Sequence, residues 1–287
     1  MPKNHCPIDL QSAFRLFLEA KRRAKEARRP ILVSVTHPFF HSVDPAQIFA
    51  GAARIDKTRF LLAQHTKRRW IVGAGRAAEI KVKGNKRFRD AIAAQKKILA
   101  SSLIEVEGKT TIAGPIFVGC FRFTRDSAST GPWREIPESL LVLPTWCFVR
   151  EGLRLWMTMN IVIDQKTSIP SLKRRLQSQA RKLMAHSEKP PHSPIARRKD
   201  HQGLKKWNHS VKAILSKIQS EKLAKVTLAR TLELRSKAPF KPETTVRQLM
   251  SAYPGCLVFS IVHGGSCFLG ATPEELVSLE GNHVSQD

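Results

Sequence analysis

The chain has 287 residues, 42% of them hydrophobic, which is enough for one large domain or two ordinary ones around a buried core. Lys and Arg number 49 against 23 Asp and Glu, a net charge of +26 that favours polyanions as neighbours in principle. No run approaches the roughly 20 apolar residues of a membrane span, the N-terminal "MPKNHCPIDLQSAF" lacks the apolar core of a secretion signal, and five cysteines without C-x-x-C spacing argue against a disulfide framework or a zinc site, so the expected location is the cytoplasm.

Leu10, Phe14, Phe17 and Leu18 recur at helical spacing, predicting an amphipathic helix over 9–29 that Pro30 ends. "ILVSVTHPFF" (31–40) reads as a strand, and Asp44-Pro45 starts a short helix. "RFLLAQHT" and "RWIVGAG" read as a hairpin, "KRFRDAIAAQKKILASSL" (86–103) as a helix and "IAGPIFVGCFRFT" as a strand with glycine breaks. Residues 139–163 read as two strands turning at Glu151-Gly152, followed by a helix near 170–185. Pro, Ser, His and charge without apolar period make the segment from 185 a linker or long loop. The expected division is therefore 1–184, a linker over 185–202, and a further region over 203–287.

That last region opens with a helix over 204–220. "KVTLARTLEL" (225–234) then alternates as a strand: Lys225, Thr227, Ala229, Thr231 and Glu233 on one face, Val226, Leu228, Arg230, Leu232 and Leu234 on the other. The helix "TTVRQLMSAY" and the strands "CLVFSIVH" and "SCFLGAT" follow, and "LVSLEGNHVSQD" reads as a strand, a turn and the first residues of a returning strand. Strands interleaved with helices give an α+β protein. The expected architecture is stacked, largely antiparallel sheets with helices packed outside, incomplete at the C-terminus because the last hairpin arm is short.

Several motifs fail on context. Gly73-x-Gly75-x-x-Ala78 follows a strand but no full helix or distant acid completes a dinucleotide fingerprint, so tight-turn glycines are the better account. Pro38 interrupts His37 and His41 as a helical metal pair. The basic clusters, among them "KRRAKEARR" and "ARRKDHQGLKK", are scattered without interleaved aromatics; a solvated basic surface ranks ahead of a nucleic-acid-binding protein, which stays as an alternative. In "FLGATPEEL", Thr272-Pro273 fixes a turn and Glu274 follows it. That arrangement suits a carboxyl group positioned at a strand end, and equally a capped helix N-terminus.

"KVTLARTLEL" and "YPGCLVFSIVHGGSCFLGATPEELVSLEG" together resemble the chorismate-utilising enzymes, specifically isochorismate synthase; the likeness extends back to about Trp70 through "WIVGAGRAAEIKVKGNKRF" and "GPIFVGCFRFT". Family members that use ammonia typically carry glutamine where this chain has Lys225. The resemblance implies that Lys225 is the general base activating water for attack at ring position two of chorismate. It implies that Glu274 is the general acid protonating the hydroxyl that leaves position four. Such a lysine must be held neutral by desolvation or nearby positive charge, and such a glutamate protonated by burial. The product would serve menaquinone, siderophore or salicylate synthesis. The resemblance also implies Mg2+, with its glutamate ligands and a Leu-Ala-Gly-Thr turn expected beyond Asp287, so the chain alone is expected to be inactive or weakly active; the alternative is a non-catalytic or split family member that needs a partner chain. Two positions depart from the family pattern: Gly119-Cys120 stands where paired glycines are usual, and Glu275 where an arginine is usual.

Overall fold

The computed structural model describes residues 11–124, 131–185, 195–275 and 277–285. Its contacts separate two compact units: Met1–Lys189 with Pro242–Asp287, and Pro190–Lys241 inserted between them. These units do not coincide with the expected segments, because the chain returns to the first unit at Pro242 rather than leaving it at 203.

In the larger unit α1 (Gln11–Ala27) buries Ala13, Phe17, Ala20 and Ala24, a three-to-four-residue spacing that lays one stripe on the sheet. Strand β1 (Ile31–Pro38) follows, and α2 (Pro45–Ala52) starts where the Asp44 side chain accepts from Ala46 N at 2.9 Å, with Pro45 in the first turn. The predicted hairpin is β2 (Arg59–Gln64) with β3 (Arg69–Ala74), in register from Arg59 opposite Ala74 to Gln64 opposite Arg69. β4 (Ala78–Ile80), α3 (Arg87–Leu99) and β5 (Leu103–Val106) come next. The helix expected over 86–103 stops at Leu99, and Leu103, its last expected residue, instead begins β5, which pairs parallel to β1.

The glycine-broken strand contracts to β6 (Val118–Phe121). The expected strand over 139–151 is two strands, β7 (Ser139–Leu143) and β8 (Trp146–Glu151), which belong to different sheets. Pro144 divides them; it has no N–H to donate, and its ring lies so close to Gly73 that a Cβ there would meet Pro144 Cγ at 2.6 Å. β9 (Arg154–Ile163) returns along β8, and α4 (Ile169–Met184) buries Ile169, Leu172, Leu176, Ala180 and Leu183.

The inserted unit holds β10 (Ile195–Asp200), α5 (Leu204–Gln219) and β11 (Leu232–Ser236). β10 lies inside the stretch expected to be linker: Arg198 pairs with Leu234 and Asp200 with Leu232, so a partner strand imposes extended backbone on a sequence with no apolar alternation of its own. Residues 186–194 lie outside the described residues. The larger unit resumes with α6 (Pro242–Ala252), β12 (Leu257–His263) and β13 (Ser266–Thr272), and ends with the small hairpin of β14 (Ser278–Glu280) and β15 (His283–Ser285).

Eight strands form the main sheet in the order β13-β12-β2-β3-β8-β9-β1-β5, antiparallel except for the β1–β5 pair. Strand alternation gives it two faces. Leu61, Ala63, Trp70, Val72 and Val258 pack in one core with residues of α1, α2, α4 and α6. Phe60 and Ile261 point the other way, into a smaller core with Val118, Leu140 and Val142 of the three-stranded sheet β4-β7-β6. The result is the expected α+β arrangement, with helices on one face of the main sheet and a second sheet on the other.

Candidate functional site

Glu274 is positioned by the β12–β13 hairpin. Register runs from Leu257 opposite Thr272 to His263 opposite Ser266, with the turn at Gly264-Gly265. Phe259 crosses onto β13 at Gly270, where a Cβ would meet its ring at 2.9 Å; glycine is what lets the aromatic side chain lie against the neighbouring strand. At Thr272 the chain leaves the sheet, and Thr272 Oγ1 accepts a hydrogen bond from Glu274 N at 3.2 Å. This is the local side-chain turn characteristic of threonine rather than a helix cap, since Pro273, Glu274 and Glu275 are not helical. The strand-end placement of Glu274 is thus present, while its side chain is exposed rather than buried.

Lys225 lies in the inserted unit, in a segment that does not form the strand expected over 225–234. Only Leu232–Ser236 is strand, and 225–230 has neither helix nor ladder pairing. The alternation of apolar side chains is there, yet a strand exists only with a partner; β10 pairs with β11 no further back than Leu232. Lys225 is exposed, without the burial that its proposed proton transfer calls for. Arg230, the cation on the apolar side of this segment, has its guanidinium 5.6 Å from the centre of the Trp207 ring on α5 and 3.7 Å from Asp200 Oδ2 at the end of β10. Hydrogen bonds from the backbone N–H groups of Gly203 and Gln202, with Arg230 and Arg198 nearby, hold the Asp200 carboxyl below its ordinary range. Neither Asp200 nor Trp207 stood out in the sequence, because only the tertiary pairing of β10 brings them to Arg230.

Two further clusters escaped sequence reasoning. His263, at the end of β12, is 7% exposed; its Nδ1 lies 3.4 Å from Thr58 Oγ1 and its Nε2 lies 3.9 Å from Glu79 Oε1. Burial pushes the His263 imidazole below its ordinary value, Glu79 opposes this, and Lys81 and Arg76 add to the lowering. Desolvation raises Glu79, but hydrogen bonds from Lys81 and Arg76 outweigh it and leave the carboxyl below its usual range. On the helix face, Arg59 Nη2 donates to Glu243 Oε1 at 2.5 Å, tying β2 to the first turn of α6. His37 Nδ1 meets Glu107 Oε2 at 2.7 Å, and the His41 ring lies tilted against Phe39 with centroids 5.3 Å apart. Gly75, at φ +75°, turns β3 toward strand β4 rather than into a helix, which removes the dinucleotide reading.

Among the described residues no three His, Cys, Asp or Glu side chains come together as a metal-binding group. No helix among the described residues is long and apolar enough to cross a membrane.

The "Chorismate binding enzyme" family model matches residues 18–287. Isochorismate synthase MenF of Bacillus subtilis is 24% identical over 273 residues, covering 93% of this chain and 58% of that protein. The salicylate biosynthesis isochorismate synthase of Pseudomonas aeruginosa is 25% identical over 286 residues, covering 99% and 58%. The chain thus spans 58% of the length of these curated relatives. Among solved structures, the menaquinone-specific isochorismate synthase MenF of Escherichia coli superposes with a TM-score of 0.57 at 15% identity, over 91% of this chain and 56% of that one, a likeness of fold. A match over nearly the whole length, carried on the same stacked α+β architecture, means that the chain belongs to the chorismate-binding enzyme family and is isochorismate synthase-like within it.

Proposed function

We propose that this chain takes part in converting chorismate to isochorismate. The observation that carries the reading is the similarity to two isochorismate synthases over 93% and 99% of the chain. In this reading Lys225, as the neutral amine, takes a proton from water as the water oxygen bonds to ring carbon two. The ring double bonds shift, the bond from carbon four to its hydroxyl breaks, and Glu274 gives its proton to the departing oxygen so that water leaves. Oxygen is gained at one carbon and lost at another, with no net change in composition. Mg2+ belongs to the reading as the ion that would hold the substrate carboxylate, and no side chain of the described residues is assigned to it. The product would enter menaquinone, siderophore or salicylate synthesis, the first and third being uses named for the matched relatives.

A second reading has the same chemistry completed by another polypeptide. It is favoured by the exposure of both Lys225 and Glu274, since proton transfer by an amine and a carboxylic acid near neutral pH calls for desolvation. One experiment tests both. The chain is incubated with chorismate and Mg2+, alone and with the separately produced C-terminal part of the Bacillus relative, and isochorismate is followed by liquid chromatography. Turnover by the chain alone supports the first reading, and turnover only in the mixture supports the second; in either case Lys225→Ala should lower the rate by at least about 100-fold, the scale of a lost general base. Turnover that survives Lys225→Ala and Glu274→Gln undiminished overturns both role assignments.

A further inference from the structure

Strand register brings three loops to one end of the main sheet. Pro38 stands opposite Trp156, Arg154 opposite Glu151, Glu151 opposite Arg69, and Arg69 opposite Gln64. The loop after β1, the β8–β9 turn and the β2–β3 turn therefore emerge together. At this end stand two of the most exposed large apolar side chains in the chain: Phe40 is 90% exposed and Leu153 85%. They flank one open cleft of about 500 Å³ whose other walls include His41, Arg150, Arg154 and Trp156. A second cleft of about 390 Å³ shares Arg150 and adds His65, Arg68 and Arg69.

The acids at this end are largely answered. Glu151 is bonded to Arg69, Asp44 to Arg247 and Glu107 to His37. Lys67, Arg68 and Arg154 are exposed, and among the described residues Arg150 and Arg154 form no ion pair; Arg150 Nε donates only to Gly152 O, at 2.9 Å. Exposed apolar tips are unfavourable in water, and the arginines beside them present positive charge that no acid among the described residues at this end answers. One kind of surface complements both features, where apolar side chains enter the acyl boundary while guanidinium groups remain among anionic headgroups. A nucleic acid would answer the charge and leave Phe40 and Leu153 in water, and Leu153 offers no ring for a base to stack upon.

We propose that this end of the sheet docks on an anionic lipid bilayer, with Phe40 and Leu153 dipping into the interface and Arg150, Arg154 and Arg68 meeting phosphate headgroups. The attachment is peripheral and concerns a surface remote in kind from the proton-transfer chemistry, so it stands whether or not chorismate is turned over.

The full chain is tested by co-sedimentation with vesicles of phosphatidylcholine containing 30% phosphatidylglycerol, and with phosphatidylcholine alone (vesicle compositions chosen at roughly the anionic content to which polybasic surfaces respond). The expected result is partitioning onto the anionic vesicles. Phe40→Ser with Leu153→Ser leaves charge untouched and should weaken it about tenfold; Arg150→Gln with Arg154→Gln should weaken it by a similar factor or more. Arg174→Gln with Arg175→Gln, an equal charge change on α4, should alter it less than about twofold. Equal losses from the two arginine pairs, or an unchanged Phe40/Leu153 double variant, would show general attraction of a basic protein and overturn the proposal. So would failure to sediment at all, or retention on duplex DNA that the serine variants leave intact in the absence of vesicle binding. Five of the six positions are exposed and Arg150 is half-buried, and circular dichroism of each variant shows whether the fold is retained.

Discussion

Replacing Glu243 by Gln isolates one charge at the joint between β2 and α6. Arg59 is nearly enclosed: its side chain is 8% exposed and that of Glu243 13%, with Nη2 to Oε1 at 2.5 Å. Burial pulls the guanidinium below its ordinary range, and Glu243 opposes that pull. The Phe49 ring, 4.8 Å from the guanidinium carbon, supplies a second, weaker partner that the substitution leaves in place. Among the described residues the Arg59 Nε has no acceptor, so the cation is already incompletely satisfied. Glutamine keeps the volume and one acceptor oxygen but removes the countercharge, leaving a buried cation of the kind whose isolation costs about 3 kcal/mol. Arg247 with Asp44 ties the same helix to the loop before α2, also at 2.5 Å, but with side chains 31% and 41% exposed. Arg247→Gln should therefore cost no more than about 1 kcal/mol. Urea unfolding followed by tryptophan fluorescence compares the two directly. Arg59→Met combined with Glu243→Leu supplies the control, since replacing both charges by apolar groups should return stability to within about 1 kcal/mol of the parent. If Glu243→Gln costs no more than Arg247→Gln, or if the double apolar variant is the least stable of the three, burial is not what makes this pair matter.

Two other outcomes can be checked with the same assay. The His263 imidazole is lowered in the folded chain, so the unfolded chain binds more protons just below the ordinary histidine value of 6.5; stability is held above that pH and falls as pH drops through the window beneath it. His263→Gln should flatten unfolding free energy between about pH 7 and 5.5, with the remaining acid loss, to which Glu79 contributes, lying lower; an unchanged slope would remove His263 as its source. Gly119→Ala would place a Cβ 1.7 Å from Leu140 O across the β6–β7 pair, a clash with backbone that no rotamer relieves. It should cost about 2–3 kcal/mol or more, and a shift in urea midpoint equal to that of a surface substitution would refute the reading.

The Gly119 geometry also bears on what the sequence could disclose. The family pattern of paired glycines is satisfied here only at its first position, and only the first position is pressed against the neighbouring strand's backbone; Cys120 is half-buried and accommodated. Much of the main sheet was legible for a similar local reason. The near-continuous apolar runs in 59–64, 69–74 and 257–263 match a sheet covered on both faces, one by helices and one by the small sheet. Legibility ended where pairing is decided at a distance. Pro144 splits a continuous apolar run between two sheets, β5 is recruited parallel to β1 from beyond the end of α3, and β10 is strand only because β11 lies beside it. The buried polar contacts share that limit, for Thr58 and His263 are 205 residues apart and Arg59 and Glu243 184.

The two proton-transfer candidates divide along the same line. Glu274 stands at the end of a strand whose pairing, Phe259 lying across Gly270 and Leu257 opposite Thr272, is complete before the turn begins, and the Thr272 hydroxyl then fixes the next backbone N–H. Its placement is local, which is why nine residues of sequence were enough to locate it. Lys225 heads a segment with the side-chain alternation of a strand and without a described partner back to that residue. Alternation says which side chains share a face; it cannot supply the N–H and C=O groups that hold the segment extended, nor the second surface that would bury the small face carrying the amine. The base role of Lys225 comes from the resemblance rather than from spacing, and the face that carries its amine, with Thr227, Ala229 and Thr231, is exposed, so the proposed role depends on a polypeptide or ligand that covers it. That dependence makes the mixing experiment with the relative's C-terminal part the sharper test of Lys225: a partner that supplies the covering surface should make the rate sensitive to Lys225→Ala, and a partner that merely stabilises the larger unit should not.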